Sequence, residues 1–382
     1  MNFKEFKESL KFRKYKNWKI IIRFIEYKLK NFFIDILVNL NRFKFNSKQI
    51  IDLGTFKDSS YINFFLYSLK NEYDFAYKND ENAKKLFRRI GFFNFFKHTI
   101  SNSNLNINSK IKINMSTPSE NDSELSIDTN YFEYFYNKKK FLHKNNIVMP
   151  YFMYPRIYNS FYKKINIINK PNFNLRVFFS GSFVEDGYSN FYWKKEPEKF
   201  PNRIKIINSI LKEFKKEIYL INSSKDLKTS NFSNKKIILC LHDKIMKKTS
   251  YKLNFKNNFN LLSQSCFNLT CPGVVMPLCH HLIEGIKVGS IPITNCENLL
   301  LPNLNSENSI QYSNLNEIIQ KIYEALDMHN DKILEMRSKV QEYYKINLSP
   351  ESFKQNFKKT ISEKRNNKII CCDDHGSING MV

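Results

Sequence analysis

The chain has 382 residues, room for two domains of ordinary size, and its 42% hydrophobic and 15% aromatic content is too apolar for a disordered polymer. A formal charge of +25 invites a polyanionic partner, but Lys, Asn, Ile, Phe and Tyr are spread along the whole length, so the charge informs only where it is patterned. No apolar run reaches the roughly 18 residues of a membrane span, the N-terminus lacks the short apolar core of a signal peptide, and seven cysteines without framework spacing fit reduced thiols, so a cytoplasmic protein is expected.

Residues 1–45 carry Trp18, Ile21, Ile22, Ile25, Leu29, Phe32, Phe33, Ile36, Leu37 and Leu40 at helical spacing, with Lys16, Lys19, Arg23, Lys28 and Lys30 among them. Such a basic amphipathic helix either rests on an anionic bilayer, here the inner face of the plasma membrane, or packs its stripe on the body of the protein. Between 46 and 170 the periods alternate. Strands are predicted at 48–54, 73–77 and 110–116, helices at 58–72 and 80–98, and polar loops at 101–109 and 116–124. Strands alternating with helices predict a parallel sheet.

Turn residues over 169–174 mark a boundary, and the alternation restarts beyond it. Strands are predicted at 175–182, 217–222, 235–243, 266–273 and 289–294, with a helix at 203–216 and another after Gly273 that begins near Pro277. Residues 314–361 read as helices, and the segment from Cys371 reads as a loose tail. The organisation is a basic segment over 1–45, α/β domains over 46–170 and 171–345, and a C-terminal helix and tail over 346–382.

The densest chemistry lies in "CPGVVMPLCHHLIEGIKVGSIPI", Cys271 to Ile293. A Gly turn between a strand and a helix start offers unpaired amides and a positive dipole end, an anion site suited to a diphosphate. His280 and Glu284 are four apart and share a face, with Lys287 near the same stripe; Leu278, Leu282 and Ile286 form an apolar stripe elsewhere. A carboxylate beside the carboxyl ends of a parallel sheet can accept two hydrogen bonds from a ribose diol.

"EGIKVGSIPI" (Glu284–Ile293), preceded by "CFNLTCPGVVMP", resembles the donor-site signature of nucleotide-sugar glycosyltransferases of the GT-B fold, and most of all their exostosin-like branch. The resemblance is good over 266–293 and loose over 175–345. It implies two Rossmann-like domains facing a cleft, with the helical extensions outside them. It further implies that Glu284 binds the donor ribose, that the amides of Gly273, Val274, Val275 and Met276 hold the diphosphate, and that Ser180, Gly181 and Ser182 form a small-residue loop at the cleft. Arg203 is similar to a family Arg that neutralises phosphate. The family carries an Arg shortly before the Glu, where this chain has His280 and His281; a ligand role is open for His280. The resemblance implies no cofactor and no metal, with a nucleotide sugar as substrate and a glycan or lipid-linked acceptor.

A general base at the cleft edge of the first domain has candidates in Asp128, Glu133 and Asp52, and the sequence does not choose among them. Cys266, Cys271, Cys279 and His280 match no paired Cys-x-x-Cys zinc spacing. Two other readings remain open: a fucosyltransferase-like GT-B branch, and a non-enzymatic protein whose basic surface binds polyanions, although no specific nucleic-acid motif is present.

Overall fold

The structure, a computed structural model, describes residues 49–52, 61–78, 99–102, 110–114, 125–129, 131–132, 146–184, 201–227, 235–242, 251–273, 276–363 and 368–372. The predicted segment 1–45, the helix over 80–98 and the loop over 116–124 lie outside them. Two compact units divide the chain, Met1–Asp58 with Lys70–Ser116 and Ser59–Leu69 with Thr117–Val382.

In the first unit, β1 (Gln49–Asp52), β2 (Tyr73–Lys78), β3 (Thr99–Asn102) and β4 (Lys110–Asn114) pair in parallel in the order β3-β2-β1-β4. Ile50, Ile51, Phe75 and Ile113 are buried, as the apolar runs require. Strand β3 replaces the start of the predicted 101–109 loop; its sequence, TISN, is too short and polar to carry a period-2 signal.

In the second unit the described elements run α1 (Tyr61–Leu69), β5 (Leu125–Asp128), β6 (Ile147–Val148), α2 (Pro155–Ser160), β7 (Val177–Ser182), α3 (Arg203–Glu213), β8 (Ile218–Leu220), β9 (Ile237–His242), α4 (Phe255–Gln264), β10 (Phe267–Leu269), α5 (His280–Val288), β11 (Ile291–Thr294), β12 (Ile310–Gln311), α6 (Leu315–Asp327), α7 (Asn330–Tyr343), α8 (Pro350–Ser362) and β13 (Lys368–Ile370). Strand β13 pairs in parallel with β5 on one side and β6 on the other. A six-stranded parallel sheet has the order β12-β11-β10-β7-β9-β8. The protein is therefore α/β with parallel sheets, as the alternation predicts.

The units do not divide at 169–174, nor does a separate extension begin at 346. Two elements cross those expected limits. Helix α1 is apolar on every side, so all nine of its residues are buried, and it packs on α2 and α8 through Phe64 against Tyr158 (5.4 Å between ring centres) and Phe65 against Phe357 (5.9 Å). The chain also returns after α8 as β13, which carries Cys371 and Cys372 into the core; Cys371 N–H donates to Asp128 O at 2.9 Å. The expected loose tail thus begins too early, because Ile369, Ile370 and the two thiols bury apolar surface.

Helix starts follow their caps. Asn202 accepts from Ile204 N–H at 2.7 Å, Asn314 from Asn316 and Glu317 N–H at 3.0 Å each, and Ser349 from Ser352 N–H at 3.0 Å ahead of Pro350. Helix α5 ends at Gly289, whose φ of +82° favours glycine.

Candidate functional site

The six-stranded sheet reverses its winding beside β7. From β7 the chain moves through α3 to β8 and returns to β9; it then passes to the opposite side of β7 as β10 and continues outward to β11 and β12. Adjacent parallel strands whose connections leave in opposite directions open a crevice at their carboxyl ends, and ligands of open α/β sheets bind there. In this chain that crevice lies between β7 and β10.

The residues at its edge are those the sequence singled out. Ser180, Gly181 and Ser182 end β7, and all three are partly exposed. Arg203 opens α3, is 8% exposed, and spans the crevice: Nη1 donates to Ser182 O at 3.3 Å and Nη2 to Cys271 O at 3.3 Å, with the guanidinium 5.7 Å from the Phe179 ring centre. Gly181 is required for that approach, because a Cβ there would meet Phe179 Cζ at 2.7 Å and Arg203 Nη1 at 3.3 Å. Beyond β10 the chain turns tightly at Gly273, where a Cβ would lie 2.7 Å from Met276 O. Val274 and Val275 lie outside the described residues, and Met276 is buried with its Sδ 3.4 Å from Cys372 Sγ.

Helix α5 starts at His280 and not near Pro277. Residues 276–279 instead form the return of the Gly273 turn, and Cys279 in extended conformation precedes the first helical residue. Two polar residues of the helix, His280 and Glu284, face the segment from Tyr151 to Tyr154. His280 stacks on Tyr151 (5.5 Å, 4° between planes), meets Tyr154 edge-on, and donates from Nδ1 to Phe152 O at 2.9 Å. Glu284, 7% exposed, accepts from Tyr154 N–H at Oε1 (3.3 Å) and from Asn258 Nδ2 at Oε2 (3.2 Å). His281 turns the other way, its ring near Phe178 and Phe179 and its Nδ1 3.9 Å from Glu284 Oε2. Asn268 on β10 holds the first turn of α5 by donating to His281 O at 2.9 Å.

The electrostatics follow burial. The Cys271 thiol is pushed up to about 12 by burial, against the pull of the neighbouring Arg203 charge, and Cys279 is raised for the same reason. Neither thiol is a nucleophile at neutral pH.

Of the proposed bases, Asp128 ends β5 and is partly exposed, Asp52 ends β1, and Glu133 lies outside the described residues. Tyr131 Oη, just past β5, donates to Leu299 O at 3.0 Å in the turn after β11. Asn258 also reaches Glu284, and no motif in the sequence marks it. Lys287, two turns beyond His280 on the same face of α5, lies over the rings of Tyr162 and Tyr344. Among the described residues no group of three His, Cys, Asp or Glu is placed to hold a metal, and no helix is long and apolar enough to cross a membrane.

Neither a family model nor a curated protein matches the chain. Among solved structures the chain is similar to one titled "Structure of Candida albicans trehalose-6-phosphate phosphatase N-terminal domain", with 9% identity over 85% of this chain and 72% of that one and a TM-score of 0.32. Likeness of that degree decides neither fold nor chemistry.

Proposed function

We propose that the chain is a nucleotide-sugar glycosyltransferase of the GT-B type, with two Rossmann-like halves facing a cleft. It moves a sugar from a nucleotide-diphosphate donor to a glycan or lipid-linked acceptor. The observation that carries the reading is the crevice between β7 and β10, where Arg203 spans a small-residue loop and a Gly turn while α5 brings Glu284 alongside. A guanidinium held in that geometry stabilises the charge that develops on a departing diphosphate. Glu284 keeps acceptor capacity for a ribose diol, since a carboxylate offers about four lone-pair sites and two are filled here. Asp128, at the end of β5, and Glu133 are the candidates for the base of the transfer.

The test is a panel of nucleotide sugars screened for thermal stabilisation in EDTA, followed by donor hydrolysis or transfer with the responding sugar. One donor class is expected to raise Tm, and Glu284→Gln, which retains the shape of the side chain, is expected to abolish the response. A full response in Glu284→Gln would remove this residue from the donor site. Silence across the panel would overturn the reading.

A further inference from the structure

The carboxyl end of α5 carries a second, separate arrangement. Lys287 follows His280 by seven positions, so it lies roughly 10 Å further along the helix axis. Its ammonium sits over two tyrosine faces, 4.8 Å from the Tyr162 ring centre and 4.7 Å from that of Tyr344. The two phenol hydroxyls are 3.2 Å apart, so one serves as donor to the other and one proton of the pair is left for another acceptor. Burial depresses the Lys287 ammonium below its ordinary value, with Glu351 pulling the other way. Among the described residues no carboxylate lies within ion-pair distance of Lys287, and its compensation is two ring faces and the negative end of its own helix.

That ammonium borders a cavity of about 800 Å³. Lys345 lines the same cavity, and so does the amino end of α8, a 13-residue helix that contributes its cap Ser349 and, from its first turn, Glu351 and Ser352. The charges in the wall are two ammonium groups and a helix dipole's positive end against one carboxylate, that of Glu351. Asn347, Gln355 and Asn356 add amide groups to the lining. A partly buried cation that has no carboxylate at ion-pair distance among the described residues and borders an open cavity of mixed lining is completed by an anion. The space exceeds what a bare ion fills, and the amides suit a hydroxylated body.

We propose that this cavity binds a phosphoryl anion, with Lys287 as its principal ligand and Lys345 and the amino end of α8 completing the positive surround. The anion is either free phosphate or the phosphate of a phosphorylated sugar, and the site does not depend on the donor crevice.

The full chain is titrated calorimetrically with inorganic phosphate, with glucose 6-phosphate and with glucose. Binding of either phosphate and not of glucose is expected; the stronger of the two identifies the source. Lys287→Met should weaken that binding by about tenfold or more, the loss that goes with one hydrogen bond to a charged group, whereas Glu284→Gln should leave it unchanged. Should Lys287→Met fail to fold, the unaltered chain decides: acetylation of Lys287 by acetic anhydride, read by mass spectrometry, should be suppressed by the bound phosphate. Equal labelling with and without phosphate, or unchanged affinity in a folded Lys287→Met, overturns the proposal. A chain that ignores nucleotide sugars yet shows protected Lys287 would separate this site from the donor reading.

Discussion

Glu284 and His280 do structural work whatever ligand the crevice takes. Each ties α5 to the segment from Tyr151 to Tyr154. Their shared face was legible in the sequence because a spacing of four is a local property of a helix. The partners were not, since Tyr154 lies 130 positions from Glu284 and nothing in a periodic pattern reports a contact of that range. The cysteines show the same division: their count and spacing predict free thiols, all seven are free, and six are buried. Burial then sets their chemistry. Cys271 is pushed up to about 12, and Cys240 and Cys266 to about 11, from an ordinary value of 9.0. A thiol whose folded value lies above its unfolded one contributes stability that is fully present below pH 9 and is lost as pH rises toward the folded values. Two outcomes follow: a thiol reagent at pH 8 should modify the native chain far more slowly than the unfolded chain, and the urea midpoint should fall between about pH 9 and 12. Cys271→Ala should flatten part of that fall, and a midpoint constant across the window would contradict the burial of these thiols.

At the scale of elements, the alternation of strand and helix was readable wherever a period spans enough residues. Strands β7, β9 and β10 fall inside the predicted segments, and α3 begins at the predicted residue behind its Asn202 cap. Elements without such signals escaped. Strand β6 has two residues and β13 three, too few to display an alternation, and both exist because neighbouring strands supply their hydrogen bonds. Arg337 was equally hidden: in "EMRSK" it looks like one more surface cation, yet it is 1% exposed. Its guanidinium donates to Ile168 O, Ser263 O, Ser265 O, Val288 O and Gly289 O, gathering the carboxyl ends of α4 and α5 and the segment that leads into β7. Helix carboxyl ends carry partial negative charge, which is how a cation is held there without a carboxylate. Arg337→Met should lower unfolding free energy by about 3 kcal/mol or more, because the lost bonds are charge-assisted and several buried carbonyls are orphaned. Arg337→Lys should recover only part, since an ammonium has three donors and no planar fork. Urea denaturation of the three proteins measures both, and a methionine variant as stable as the parent would remove Arg337 from this role.

At the scale of the whole molecule, the excess of Lys and Arg is the property the fold explains least. Described ion pairs such as Lys332 with Glu335 and Lys339 with Glu307 are exposed and worth little individually. A charge of +25 is therefore not consumed by internal pairing, and it remains available to an anionic partner. We propose that residues 1–45, outside the described structure, use it for peripheral association with a membrane that bears a lipid-linked acceptor. Aromatic and aliphatic residues at helical spacing supply the buried stripe, and each flanking Lys or Arg near an anionic surface contributes about 1 kcal/mol. The full chain should sediment with vesicles containing phosphatidylglycerol, much less with vesicles of phosphatidylcholine alone, and the difference should shrink as salt rises. Deleting residues 1–40 should abolish sedimentation while the thermal response to the nucleotide sugar persists. A truncated chain that still sediments would move the membrane contact to the body of the protein, and one that unfolds would show the stripe to be core, leaving the membrane proposal without support.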